Sequence, residues 1–432
     1  MEYIAISLPE IMEHREKRTM RTAELIRKHQ STVVCMSMNF IGEYKVLKHS
    51  RLIFNMFCEK VLRSTQVRFH EVEYSTFGDY AHFVCEENPE AVKAKMCKLE
   101  ESCEVGRLFD IDVYYGMEND SPAKISREGL RKCLICDKPA IECSRSRAHG
   151  IEAVRSHSID IMKRHLATLI SECAYDSLIS EVETTPKPGL VDKNNNGSHT
   201  DMNINSFYAS SLAIKPFYYD MALETFKSFD NNLSIFELMR RLQAIGRAAE
   251  TAMMSATIGI NTQLGAIYTI GLLSCGVVMS LEHSQCFDAI PNYAQSLVLS
   301  VKVGDIPSFG ARFEAENAFP NILATTRRIQ ILNNEHNFNN SCVFALLEIM
   351  LLIDDTNVLR RGGESGLIFV REQAKRILEF NYSNEMLKAV LDFDNEMIRR
   401  NLSPGGCADI LAAAIFMLNI KQRIFEYGYT QK

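Results

Sequence analysis

The period of the apolar residues changes once along this chain, near Ile159, and that change restricts the fold more than any other feature. Before it, helical and strand patterns alternate. Met12–His29 and Leu52–Leu62 carry apolar residues at helical spacing, Thr32–Met38 and Leu108–Tyr114 are short and rich in β-formers, and Val67–Tyr74 alternates. After it, long helical stretches such as Ile161–Glu181, Leu233–Ala256 and Val343–Ile353 follow one another with hardly a credible strand. The expected architecture is therefore multidomain, an α+β domain over residues 1–160 followed by an all-α helical domain over residues 161–432. A length of 432 residues suits two domains. No Gly/Ser-rich or Pro-rich linker separates the two patterns, which predicts a shared or closely docked helix at the junction.

One segment tests the reading of a soluble chain. No charged residue occurs between Thr251 and Leu281. A membrane helix needs about 20 mainly apolar residues, but Asn261, Thr262, Gln263 and several Gly and Ser interrupt this run. A central helix that is apolar all round because it is buried fits better. The formal charge of -6, with no lysine-rich run, argues against a nucleic-acid or membrane partner. The opening Met1–Pro9 lacks a basic segment followed by an apolar one, so export is not expected. The thirteen cysteines are then expected to be reduced thiols in a cytoplasmic protein.

Polar residues that pack poorly mark candidate chemistry. Pro186 and Pro188 forbid a helix between Glu183 and Asp201, and Gly189 and Gly197 punctuate the turn. That loop holds Lys187, Asp192, His199 and Asp201. Asp110 and Asp112, two residues apart on a strand, share one face and could carry Mg²⁺ with a bound phosphate chain. Arg107, Arg145 and Arg147 suit phosphate oxygens, because a guanidinium binds them bidentately. Cys133, Cys136, Cys143 and His149 could hold a small structural zinc, or be ordinary reduced cysteines beside an arginine cluster; the spacing allows both. Asp354 and Asp355 are expected to close an apolar helix, where the dipole disfavours negative charge unless a cation such as Mg²⁺ compensates. Arg361 and Gly362 follow, placed to receive phosphates. Ser403-Pro-Gly-Gly406 reads as a turn into a helix whose first amides could bind an anion.

The motif Glu183–Asp201 closely resembles the signature of the triphosphoribosyl-dephospho-CoA synthases. Gly246-Arg-Ala-Ala-Glu250, Gly259-Ile-Asn-Thr262, Arg312-Phe-Glu-Ala-Glu316 with Phe319-Pro320, Asp354–Gly363 and Ser403–Asp409 resemble the later motifs of that family, in order. In the first part, Gly106–Val113, Arg131–His149, Thr32–Asn39, and Gly42 with Lys45 resemble the holo-citrate lyase synthases, which are phosphoribosyl-dephospho-CoA transferases. The resemblance implies a fusion of two consecutive steps. A nucleotidyltransferase-like N-terminal domain is implied, with Asp110 and Asp112 catalytic and Arg107, Arg145 and Arg147 on phosphates. For the helical domain it implies Asp192, His199, Asp201, Glu314 and Glu316 in catalysis. It further implies Lys187, Asn261, Thr262, Arg312, Arg361, Gly362, Gly405 and Gly406 in binding. The implied substrates are ATP and 3′-dephospho-CoA with Mg²⁺. Adenine leaves in the first step. In the second, the product is transferred to a serine of the citrate lyase acyl carrier (gamma) subunit and pyrophosphate leaves.

Two departures stand out. The family motif continues Asn-Thr with His-Lys-Gly, whereas this chain reads Asn261-Thr262-Gln263-Leu264-Gly265, and Arg-Gly-Glu becomes Arg312-Phe313-Glu314. Loss of a His and a Lys removes two phosphate contacts, for which Lys187 or Arg361 could compensate. Two other functions remain open at this level: the equivalent pair of steps for malonate decarboxylase, and a helical domain that binds nucleotide without efficient turnover.

Overall fold

The computed structural model describes residues 4–127, 129–304, 308–380 and 382–427. The first three residues of the opening segment lie outside that set. The chain divides into two compact units. One runs to Leu166 and takes in Tyr427; the other spans Ala167–Glu426. The division falls inside a single helix, Ile151–Glu183.

The N-terminal unit is α+β. Its elements are α1 (Leu8–His29), β1 (Thr32–Met38), α2 (Ser50–Ser64), β2 (Val67–Glu73), β3 (Tyr80–Cys85), α3 (Pro89–Glu101), β4 (Phe109–Glu118), β5 (Ser121–Lys124), α4 (Ala140–Ser146) and the start of α5 (Ile151–Glu183). The strands form one antiparallel sheet in the order β2-β3-β1-β4-β5. β1 is buried along most of its length, as a central strand covered on both faces must be. β4 alternates instead, with Phe109, Ile111 and Val113 buried and Asp110 and Asp112 on the opposite face. Leu25 and Ile26 of α1 pack on Val33 and Val84. On the α2 side, the rings of Phe57 and Phe109 stack with centroids 4.0 Å apart.

In the C-terminal unit the regular elements among the described residues are helices. They are the remainder of α5, α6 (Ile204–Asp230), α7 (Ile235–Ala256), α8 (Leu264–Glu282), α9 (Ile290–Ser300), α10 (Gly310–Glu316), α11 (Pro320–Leu332), α12 (Phe338–Leu352), α13 (Thr356–Leu378), α14 (Asn384–Arg399) and α15 (Gly405–Ile420). The apolar run that could span a membrane by length is α8, and it is a core helix here. Every residue from Thr269 to Leu281 is buried, with α6, α9 and α15 packed around it. Gly276 lets α9 come this close, since a Cβ there would lie 2.5 Å from the Ile290 carbonyl oxygen. α15 is likewise apolar on all sides and buried from Ile410 to Leu418. These two helices fix the positions of the chain ends that surround them.

One expected boundary is corrected. α12 ends at Leu352, and Asp355 belongs to the next helix, as the N-cap of α13. Its carboxylate sits at the positive end of a dipole, where negative charge is favoured, and not at the negative end. At α15 the cap position falls on Pro404, with Gly405 first in the helix, and Ser403 turns elsewhere.

Candidate functional site

A cavity of about 480 Å³ opens in the C-terminal unit where five chain segments meet. They are the end of α5 (Glu181), the loop after it (Lys187, His199, Asp201), and the turn Gly259–Gly265 before α8. The starts of α13 (Asn357, Arg360, Arg361) and α15 (Gly405, Asp409) complete the wall. The Pro- and Gly-punctuated loop thus reaches the site, but its acidic residues divide the labour. Asp192 is 3% exposed and holds the loop together. Its carboxylate accepts from the Thr185 hydroxyl and from the N–H groups of Lys187, Asn194 and Asn195 at 2.7–3.0 Å. It does not line the cavity. Asp394, reached from α14, accepts from the Gly189 N–H and the Asn195 amide and fixes the same loop from behind.

His199 and Asp201 do face the cavity. An Arg361 N–H donates to His199 Nδ1 at 3.3 Å, so Nε2 carries the ring proton and donates to the Ser403 hydroxyl at 2.8 Å. Burial, with help from the Arg361 charge, lowers the His199 pKa against the pull of Asp201, 3.7 Å away. The imidazole is therefore neutral at pH 7. Arg361 is pinned by the Ser198 carbonyl at 2.8 Å and the Asn401 side chain at 3.0 Å. Lys187 is 1% exposed and bonds Glu181 at 2.5 Å. A lysine committed this way is not a free phosphate ligand, so of the two proposed compensators only Arg361 presents its charge.

The wall opposite holds the least expected group. Asp409 is half-buried where it lines the cavity, and desolvation pushes its pKa up to about 8, with repulsion from Glu181 and Asp355 adding to the rise and the Ala266 N–H opposing it. That N–H belongs to the first turn of α8, so the carboxyl sits at a helix N-terminus. Gly265 is required by this arrangement: a Cβ there would lie 2.0 Å from Asp409 Oδ2. Nearby, the Thr262 hydroxyl oxygen is buried with no partner among the described residues, and Asn261 accepts from the Leu264 N–H at 3.1 Å. Gln263 and Leu264 both line the cavity, but the Gln263 amide is bonded to Ser210 and Ser211 on α6.

The other predicted residues of this unit lie off the cavity. Glu314 is 2% exposed, and its carboxylate accepts from the N–H groups of Asn321 and Ile322 and from the Asn321 amide at 2.5–3.4 Å. It caps α11, a task that a carboxylate at a helix start performs well. Glu316 binds Arg312 at 2.7 Å and Lys302 at 2.9 Å, and these cations hold its carboxyl down to about 2. Arg312 is thereby spent on that pair. Asp355 Oδ1 accepts from the N–H groups of Asn357 and Val358, and Oδ2 from that of Cys407 at 2.9 Å. Asp354 points outward and pairs with Arg371 at 2.7 Å. The expected metal pair is thus spread over two tasks, with Asp355 committed to three backbone donors and Asp354 paired with an arginine. Gly362 lets α13 lie against Leu402, and Gly406 lets α15 approach Asp355.

In the N-terminal unit, the register of β1 against β4 sets Ser37 opposite Asp110 and Cys35 opposite Asp112. Arg131 lies 3.5 Å from Asp110, and Lys124 3.2 Å from Asp112. Asp110 also lines a pocket of about 80 Å³ with Arg15, Arg18, Asn39 and Lys45. Arg15 and Arg18 were illegible as site residues, because in the sequence they belong to an ordinary charged helix face. Arg107 donates to the carbonyls of Lys132 and Cys133. Arg145 and Arg147 are exposed at the end of α4. Ligand atoms of Cys133, Cys136, Cys143 and His149 all lie within 4.8 Å of one another.

Comparison with known proteins follows the same division. Residues 6–165 match the family model of apo-citrate lyase phosphoribosyl-dephospho-CoA transferase. Residues 167–309 and 305–425 match that of ATP:dephospho-CoA triphosphoribosyl transferase. The chain is 30% identical to Protein CitXG of Haemophilus influenzae over 457 residues, covering 96% of this chain and 97% of that protein. It is 28% identical to Protein CitXG of Leuconostoc mesenteroides subsp. cremoris with the same coverage of both. A 2-(5''-triphosphoribosyl)-3'-dephosphocoenzyme-A synthase of Haemophilus ducreyi is 31% identical, over 66% of this chain and 99% of that protein.

Proposed function

Because the chain belongs to the family that fuses these two transferases, it is a bifunctional enzyme of citrate lyase prosthetic-group biosynthesis, and we propose that the two sites described above divide the work. The C-terminal cavity is read as the synthase site and the Asp110–Asp112 face, with a nucleotidyltransferase-like role, as the transfer site. The observation that carries the first assignment is the convergence of His199, Asp201, Arg360, Arg361 and Asp409 on one cavity from segments far apart in sequence.

In the synthase step a ribose hydroxyl of 3′-dephospho-CoA bonds to C1 of the ATP ribose as the bond from that carbon to adenine breaks. The hydroxyl proton is lost and adenine leaves having gained one. Asp409 is suited to the first transfer. A carboxyl raised to about 8 is a far stronger base than an ordinary one, yet still ionised in part at neutral pH. Arg361 and Arg360 are placed to bind the triphosphate, with the neutral His199 accepting from Arg361 and orienting its guanidinium, and the unpartnered Thr262 hydroxyl is placed to bind a sugar or base atom. Mg²⁺, which neutralises phosphate charge when bound, would be met by Asp201 here and by Asp110 and Asp112 in the other unit. In the transfer step, a serine hydroxyl of the lyase acyl carrier loses its proton and its oxygen bonds to the α-phosphorus of the triphosphoribosyl group as the bond from that phosphorus to the pyrophosphate oxygen breaks. Pyrophosphate departs, with Arg15, Arg18 and Arg131 near enough to Asp110 to bind it. Both steps are assigned to the cytoplasm.

The test is to incubate the full chain with ATP, dephospho-CoA and Mg²⁺ and to follow free adenine. The expected result is adenine release that Asp409→Asn removes. Unchanged release in that variant would overturn the assignment of the cavity's base.

A further inference from the structure

We propose that Cys133, Cys136, Cys143 and His149 bind one structural Zn²⁺ that fastens the segment between β5 and α5 in the N-terminal unit. The segment needs such a fastening. Between Ile125 and Pro139 the described residues form no helix or strand; a single bridge pairs Lys132 with Pro139. Apart from the ion pairs of Arg127 and Arg131 and the Arg107 bonds to its backbone, a stretch so short of regular structure and of buried apolar side chains has no packed core to hold it. The cysteines occupy the positions that a tight metal turn requires. The Cys133 N–H bonds the Lys138 carbonyl at 2.8 Å, which closes a small hairpin around Cys136. The Ile135 N–H points at Cys133 Sγ, 3.5 Å away, and such a donor stabilises a thiolate ligand. α4 brings Cys143, and the turn after it brings His149.

The four donors are already together. Cys136 Sγ lies 3.5 Å from Cys143 Sγ and 3.4 Å from His149 Nε2, and all four ligand atoms fall within 4.8 Å of one another. Sulfurs each ~2.3 Å from a central zinc in a tetrahedron sit a little under 4 Å apart, so modest adjustment suffices. Three thiolates and an imidazole form a closed structural set with no open position for substrate. Binding replaces the three thiol protons with the metal. Three thiolates around Zn²⁺ leave one net negative charge, and Arg107 already donates to the carbonyls of Lys132 and Cys133 at the edge of the turn.

The consequence for chemistry rests on the reading of Asp110 as a transfer-site residue. Arg131, two residues before Cys133, is the arginine that lies 3.5 Å from Asp110 and also bonds Glu100. Zinc would hold this arginine in register with the carboxylate, making the metal a positioning element and not a catalyst.

The experiment uses the untagged full chain, purified under reducing conditions without chelator, and measures metal by plasma mass spectrometry. The expected result is one zinc per chain in the wild type and in Cys97→Ser, a thiol outside the cluster. Cys136→Ser and Cys143→Ser should fall at least tenfold. Because a ligand variant could fail to fold, a second measurement needs none: replacing zinc with cobalt in the wild type should give the strong visible absorption of a tetrahedral thiolate site. No zinc in the wild type, equal zinc in the ligand variants, or a Cys136–Cys143 disulfide in the native protein would each overturn the proposal. None of these readings depends on carrier modification, so failure of the transfer-site assignment would leave the zinc result standing.

Discussion

Removal of the Asp355 carboxylate should destabilise the C-terminal unit, and the size of the effect follows from the groups that carboxylate serves. Asp355 is 2% exposed and accepts three backbone N–H bonds, two from the first turn of α13 and one from Cys407 in α15. Truncating an N-cap to alanine costs about 1 kcal/mol. The Cys407 N–H is then left buried without its acceptor, at about 1–3 kcal/mol. Against these, burial pushes the Asp355 pKa up, so the fold already bears a cost for keeping the charge, and alanine removes it. We expect a net loss of about 2–3 kcal/mol for Asp355→Ala. For a unit of this size that lowers the melting temperature by roughly 4–12 °C. Asp354→Ala, which removes only an exposed pair with Arg371, should cost less than about 1 kcal/mol. Calorimetry of the full chain, with urea unfolding followed by circular dichroism, separates the two variants. Asp355→Ala that melts with the wild type yet loses nucleotide affinity would refute the argument, because it would make Asp355 a ligand and not a cap.

Asp409→Asn should abolish adenine release, and in the wild type the rate should climb with pH through about 8, since the base acts only once its raised carboxyl has lost its proton; a flat profile from pH 6 to 9 counts against this role. Gly265→Ala should cut adenine release at least tenfold, because its Cβ would need the space 2.0 Å from Asp409 Oδ2; normal turnover would show that the carboxyl can move without consequence. Asp110→Asn or Asp112→Asn should abolish carrier modification, read as mass gain of the acyl carrier, and leave adenine release intact; an equal fall in both would mean one shared site.

Much of the architecture was legible because it rests on local rules. The alternation of Leu108–Tyr114 placed Asp110 and Asp112 on one strand face, and the uncharged, mainly apolar run before Leu281 marked a buried helix. The misreadings arose where a polar residue serves its own backbone. Asp192 and Glu314 look catalytic in a motif and Asp355 looks like a metal ligand, yet each accepts two or more N–H bonds and so organises a loop or caps a helix. Asp355 was recoverable: Asp-Thr-Asn before an apolar-periodic stretch is a helix start, and the pull of the preceding apolar run hid it. Glu181 was not, because nothing local distinguishes it from other polar residues of α5. Its meaning comes from Lys187, which the loop folds back onto it.

The same distinction decides how the chain accommodates Gln263 and Leu264, where the motif it resembles has His and Lys. Gln263 lines the cavity but commits its amide to Ser210 and Ser211 of α6, so it brings no charge to the wall. Leu264 presents an apolar side chain to the cavity, which removes a cation from the wall. Lys187 cannot replace it, since breaking its buried pair with Glu181 would leave a charge without a partner, at about 3–5 kcal/mol. The cation must come from Arg360 and Arg361. Arg361 is held there by the Ser198 carbonyl and Asn401, while its second nitrogen faces His199. An arginine fixed in this way meets a phosphate with two parallel N–H groups, where the lost lysine would have met it as a single charge. On the proposed reading, phosphate binding would shift from the start of α8 to the start of α13, leaving the α15 carboxyl of Asp409, with its raised pKa, to face the start of α8.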